Sequence, residues 1–301
     1  MIYNNIKEMI GNTPLLKVSN YSKYNNLSSD IYVKLEGFNP TGSVKDRAVL
    51  EMITDLESKN IINKETIIIE ATSGNTGISI ASIARYSNYK VIIVMPENMS
   101  IERRKILSFL GAEVILTKKE LGMNGAINKA IELNKEIENS IILNQFENYN
   151  NVLAHYKTAK EIIDDIGDVD CIVMGVGTGG TITGISKYFK ANNISTRVIA
   201  VEPKESNVLS GGKKGRHEIE GIGAGFIPPL IDMKLIDEII TVNSDEALNE
   251  AKIFSKTEGI MIGISSGAAL AGLKKLNNNY KKIVVILPDL GFKYLSTRLY
   301  E

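Results

Sequence analysis

The chain has 301 residues, 44% hydrophobic and 23% charged, the balance of a folded globular protein, which excludes a disordered or collagen-like chain. Thirty-five basic residues meet thirty-five acidic ones, so no cationic excess is left to track a phosphate backbone, and nucleic acid is not an expected partner. At roughly 150 residues per domain the length predicts two domains.

The opening residues Met1-Ile2-Tyr3-Asn4-Asn5 have neither a basic nor an apolar leader character, and no apolar run reaches about 18 residues. A cytoplasmic protein without membrane association is expected. The first predicted strand is 31–35. After it, Asn39-Pro40-Thr41-Gly42-Ser43-Val44-Lys45-Asp46-Arg47 runs into a helix over 48–56. Ser43 and Asp46 have capping-box spacing, which puts Lys45 in the first turn, near the positive end of the helix dipole. The dipole and burial both disfavour an ammonium there, which lowers the pKa as a Schiff-base lysine requires; a lysine reaching to solvent is the alternative.

A strand over 66–70 leads into Ala71-Thr72-Ser73-Gly74-Asn75-Thr76-Gly77 and a helix over 75–86. Hydroxyls, an amide and unpaired backbone N–H groups at a helix N-terminus suit a carboxylate. Next come a strand at 91–95, a helix at 101–110 whose Arg103-Arg104-Lys105 reads as a solvated face, a strand at 113–117, a helix at 122–138 and a strand at 141–143.

The strand 171–174 opens the second half and feeds Gly175-Val176-Gly177-Thr178-Gly179-Gly180-Thr181, where glycines let the backbone approach a ligand and threonines add hydroxyls. This predicts a phosphate nest. The same loop satisfies G-x-G-x-x-G, and Glu202 follows the strand 198–201 where a ribose-binding acid would sit, so an NAD site is a second reading of it. Gly211 to Arg216 reads as a solvated connection. A strand at 238–242, a helix at 247–258, the loop Gly263-Ile264-Ser265-Ser266-Gly267-Ala268-Ala269 entering an apolar helix, and a strand at 283–287 complete the chain. The lone cysteine, Cys171, falls in an apolar run and reads as core. His155 and His217 have no acids or cysteines at ligand spacing, so no metal site is expected and both read as ordinary polar positions.

Strands alternating with helices predict an α/β protein with largely parallel sheets, and runs such as Val284-Val285-Ile286-Leu287 belong in sheets buried on both faces.

The segments 39–47, Thr72 to Gly77 and Gly177 to Thr181 together resemble the cysteine synthase (O-acetylserine sulfhydrylase) family. Further matches are Gly11 to Leu15, Met99 to Lys105, Gln145-Phe146, Gly221 to Pro228 and Tyr294 to Thr297, so the resemblance spans nearly the whole chain. It implies fold type II of the pyridoxal 5'-phosphate (PLP) enzymes, two three-layer αβα domains each with a largely parallel twisted sheet. The division expected is a smaller, mobile, substrate-binding domain at 40–148 and a larger PLP-binding domain at 1–39 and 149–301. A homodimer is implied, with serine acetyltransferase as a further partner. By the resemblance, Lys45 is the lysine that carries the cofactor and acts as catalytic base. Asn75 meets the ring hydroxyl, Gly177, Thr178, Gly179, Gly180 and Thr181 form the phosphate cup, and Ser265 faces the ring nitrogen. Thr72, Ser73, Asn75, Thr76 and Gln145 hold the substrate.

The implied reaction is β-replacement on a serine- or cysteine-type amino acid through an α-aminoacrylate: O-acetyl-L-serine and sulfide giving L-cysteine and acetate. The chain departs from the family pattern at Ala71, usually proline, and across Asn148 to Asn151, Thr158 to Glu161 and Leu290 to Tyr294. These departures lie on the substrate side and motivate an alternative, consumption of L-cysteine with release of hydrogen sulfide to form lanthionine, cystathionine or serine. An NAD-dependent oxidoreductase is the third reading.

Overall fold

The computed structural model describes residues 2–276 and 280–301. In chain order the elements are β1 (Leu15–Lys17), α1 (Ser19–Tyr24), β2 (Asp30–Leu35), α2 (Lys45–Ser58), β3 (Ile67–Ala71), α3 (Asn75–Tyr86), β4 (Lys90–Pro96), α4 (Ile101–Phe109), β5 (Glu113–Thr117) and α5 (Gly122–Glu136). They continue with β6 (Ser140–Ile142), α6 (Asn150–Ile166), β7 (Cys171–Gly175), α7 (Gly180–Ala191), β8 (Arg197–Pro203), β9 (Glu238–Val242), α8 (Ser244–Glu258), α9 (Ile264–Lys274) and β10 (Lys282–Leu287). The chain divides into two compact units, Met1–Ile10 with Lys45–Asn151, and Gly11–Val44 with Val152–Glu301. These units part at 44/45 and 151/152, and the first ten residues go with the smaller one, where Lys7 pairs with Glu57 at 2.9 Å.

The smaller unit holds a four-stranded sheet, β5-β4-β3-β6, parallel throughout. Its strands are apolar on both faces, as a doubly covered sheet requires. Ile68, Val91, Ile93 and Met95 face one way, into a cluster with Met52 and Ile53 of α2 and Ile80 and Ile83 of α3. Ile69, Ile92 and Val94 face the other, against Ala126 and Ala130 of α5. The alanines let α5 lie close to the strands.

The larger unit holds a six-stranded sheet, β1-β2-β10-β7-β8-β9, parallel except for β1. Cys171 and Val173 pack on one face with Leu248, Ala268 and Leu270 of α8 and α9. Ile172 and Met174 pack on the other with Ile162 of α6 and Ile185 and Phe189 of α7. Burial pushes the Cys171 thiol up to about 12, so it stays protonated and unreactive, as a core residue does.

Candidate active site

In parallel α/β sheets, ligands gather where strands end and helices begin, because free N–H groups and positive dipole ends converge there. Each unit presents one such edge carrying residues singled out from the sequence.

In the smaller unit, Lys45 is the first residue of α2. The capping box expected at Ser43 and Asp46 is not formed. Ser43 is engaged as an isolated backbone bridge with Asp289, and its buried hydroxyl has no hydrogen-bond partner among the described residues. Asp46 instead accepts a 2.5 Å hydrogen bond from Ser79 Oγ, which ties α2 to α3. The loop between β3 and α3 is held from both ends. Thr72 N–H donates to Val94 O (3.1 Å), and Thr72 Oγ1 accepts from Gly74 N–H (3.3 Å). Asn75 opens α3, and Thr76 Oγ1 donates to Gln145 Oε1 at 2.7 Å. The structure thus brings Gln145, 69 residues further along, to the N-terminus of α3. Gly74 leaves open space where a side chain would stand.

Two residues that sequence reasoning passed over support this edge. Arg103, read as part of a solvated face, turns its guanidinium onto Ser73 O at 2.9 Å. Arg104 likewise donates to Met99 O at 3.0 Å, so only Lys105 of that trio is an exposed side chain. Glu70, at the end of β3, is 3% exposed and accepts the backbone N–H groups of Asn144 (3.0 Å) and Gln145 (3.3 Å). Burial pushes its pKa up to about 7 against the opposing pull of those N–H groups and that of Leu143.

In the larger unit, Gly177 to Thr181 span the turn from β7 into α7. A Cβ on Gly177 would overlap the carbonyl of Gly221, and one on Gly179, whose φ is +83°, would stand 2.9 Å from Ile231 Cβ. Only glycine fits either position. Thr178 Oγ1 accepts Gly180 N–H at 3.3 Å. Gly221 links this loop to Ser265, since a Cβ on it would lie 3.8 Å from Ser265 Oγ. Ser265, the second residue of α9, is buried.

His155, read as an ordinary polar position, is 1% exposed and bridges two threonines. Its Nε2 lies 3.2 Å from Thr181 Oγ1 and its Nδ1 3.1 Å from Thr158 Oγ1. It therefore fixes the hydroxyl that closes the glycine loop. No local spacing announces this, because α6 and α7 place 155 beside 181. His217 meets the carbonyl of Gly223 at 3.1 Å.

Glu202 decides the dinucleotide reading. It is buried, and its two oxygens accept from Leu209 N–H, Ser210 N–H (both 2.9 Å) and Ser210 Oγ. A carboxylate already occupied by its own following loop is not offered to a ribose, so the NAD-dependent oxidoreductase expectation is corrected.

The loop at Gly177 fits a phosphate: it is backbone closely approached, threonine hydroxyls and a helix N-terminus, with no acidic side chain from 177 to 181. With a buried serine hydroxyl alongside it, this defines an α/β protein that takes a phosphorylated cofactor. A family model described as "Pyridoxal-phosphate dependent enzyme" matches residues 6–289. Over 100% of the chain and 96% of its own length, the cysteine synthase of Buchnera aphidicola subsp. Schizaphis graminum is 49% identical. The crystal structure of a cysteine synthase (OASS) from Entamoeba histolytica superposes with a TM-score of 0.95 at 42% identity, covering 100% of this chain and 91% of that one. A hydrogen sulfide-producing enzyme from Fusobacterium nucleatum gives 0.92 at 44% identity, covering 98% and 100%. The chain belongs to the pyridoxal-phosphate dependent enzymes and, within them, to the cysteine synthase family. Its cofactor is PLP.

Proposed function

We propose that this chain is a cysteine synthase that converts O-acetyl-L-serine and sulfide to L-cysteine and acetate by β-replacement. The observation that carries the reading is likeness over the full chain, 49% identity to a cysteine synthase, with the sequence motifs seated at strand ends. PLP, when bound, supplies the electron sink that makes the substrate Cα proton acidic.

In this reading Lys45 would hold the cofactor, and its freed amine would remove the substrate Cα proton as general base. Thr72, Ser73, Thr76 and Gln145 would hold the substrate carboxylate at the positive end of α3, and Asn75, beside them, would meet the cofactor's ring hydroxyl. Gly177, Thr178, Gly179, Gly180 and Thr181 hold the phosphate. Ser265 would offer the ring nitrogen a hydroxyl rather than a carboxylate, a weaker partner for a protonated ring. Acetate would leave Cβ, hydrosulfide would take its place, and Lys45 would return the proton to Cα. A homodimer within the cytoplasm, with serine acetyltransferase as partner, is part of the same proposal.

The test is turnover of O-acetyl-L-serine with sulfide. Lys45→Ala should lower it about 10²–10⁴-fold from loss of the base alone, while the purified variant still carries cofactor on the glycine loop. Unchanged turnover in that variant overturns the assignment. The resemblance to a hydrogen sulfide-producing enzyme favours a second reading, in which L-cysteine is the donor. If L-cysteine alone releases sulfide beyond the Lys45→Ala control, the second reading holds.

A further inference from the structure

We propose that Glu70 is a positioning residue for substrate binding, its buried carboxyl group fixing the backbone of Leu143 to Gln145 so that Gln145 meets Thr76. The inference rests on the reading that Thr76 and Gln145 hold the substrate carboxylate.

The segment needs such a device. Asn144 has a φ of +53°, the left-handed conformation that asparagine tolerates better than other residues with a Cβ, and its carbonyl accepts the N–H groups of Glu147 (3.0 Å) and Asn148 (2.9 Å); these bonds close the turn locally but do not place it against β3. It follows immediately on β6, a strand of three residues at the edge of its sheet. Several side chains hold it, among them Asn148, whose Nδ2 donates to Leu143 O at 3.1 Å. Glu70 takes the N–H groups of Asn144 and Gln145, one on each carboxylate oxygen. Asn151 Nδ2 donates to Gln145 O at 2.8 Å. Asn144 Nδ2 donates to Glu147 Oε2 at 2.7 Å. Of these, only Glu70 reaches the segment from β3, the strand that leads directly into Thr72 and the N-terminus of α3. Beyond the last paired residues of β3 and β6, this carboxylate therefore sets the distance between the two halves of the proposed carboxylate site, the helix N-terminus and Gln145. A carboxylate can accept on both oxygens from consecutive N–H groups, whereas Gln at this position would turn its NH₂ toward one of those donors.

The experiment uses the PLP-loaded enzyme and reads KM and kcat for O-acetyl-L-serine in Glu70→Gln, Gln145→Ala and the double variant, with the cofactor absorbance of each as a check. The expected result is a KM raised about 10-fold or more in each single variant, as for loss of a hydrogen bond to a charged group, with kcat and cofactor absorbance close to wild type. The double variant should be no worse than Gln145→Ala, because Glu70 acts through Gln145. A raised KM in Gln145→Ala with none in Glu70→Gln overturns the inference and leaves the site reading intact. An additive double variant, or a Glu70→Gln that loses cofactor absorbance and kcat instead, also overturns it. Unchanged KM in Gln145→Ala instead removes the site reading itself, and the inference with it. If Glu70→Gln yields no soluble protein, Glu70→Asp, which keeps the charge but shortens the reach, is read in its place by the same KM criterion.

Discussion

Glu70 is pulled two ways over its proton. Burial raises its pKa and three backbone N–H groups lower it, with burial prevailing at about 7. Because the folded value lies above the ordinary 4.5, the native state binds the proton more tightly than the unfolded chain between those two pH values. The stability contributed by this group is thus fully present below pH 4.5, is lost as pH rises to about 7, and is level above that. The size is about 3 kcal/mol, taking 1.36 kcal/mol per pH unit. Glu70→Gln should flatten that slope, so its denaturation midpoint should vary less between pH 5 and 7 than that of the wild type. Equal slopes in the two proteins would mean that Glu70 titrates normally. None of this was legible in the sequence, where Glu70 was merely the last residue of a predicted strand. Lys45, Thr72 to Thr76 and Gly177 to Thr181 stand out in the sequence because the roles proposed for them need particular residue types in a short contiguous run. Glu70, Arg103 and His155 act on backbone or hydroxyls far along the chain, and only the fold brings those together.

The helix–helix contact that sets His155 against Thr181 depends on a missing side chain. At Gly184 in α7, a Cβ would overlap the Val152 carbonyl of α6 and stand 2.7 Å from His155 Cβ. Gly184→Ala must therefore push α6 and α7 apart. Overpacking of this kind costs about 1–3 kcal/mol, which lowers the melting temperature by roughly 2–4 °C for each kcal/mol in a unit of this size. Thermal unfolding of the holoenzyme checks it, and a melting temperature equal to the wild type would show that the helices separate without cost. Strands and helices were more legible than contacts such as this one. Nine strands were expected near their observed places because continuous β-branched runs mark a doubly covered parallel sheet, and α3 and β5 match residue for residue. The strand that escaped notice, β1, has three residues and pairs antiparallel at the sheet edge, too short for any period to emerge. The capping box failed for a tertiary reason: Ser43 is drawn into backbone pairing with Asp289, which local spacing cannot anticipate.

At the scale of the whole molecule, the two compact units each have a sheet with its own apolar clusters, so a ligand that touches only one of them should stabilise only that one. The glycine loop, Thr181 and His155 all lie in the larger unit. Inorganic phosphate offered to cofactor-free protein is therefore expected to bind there, and at 100 times its Kd to add about 2.7 kcal/mol to the folded state. Hydrogen exchange locates the gain. Protection should rise across 175–183, where the loop passes into α7, and at residues near 155 that rest on Thr181, while α2, α3 and the sheet of the smaller unit exchange as before. Gly177→Ala, whose Cβ would displace the Gly221 carbonyl, should abolish the response without removing the surrounding core. Chloride at equal ionic strength should not reproduce it, because general screening acts on exposed charges in both units alike. Protection spread over both units, or unchanged by Gly177→Ala, would mean that phosphate acts on the surface at large and that the loop at 177–181 is not its seat.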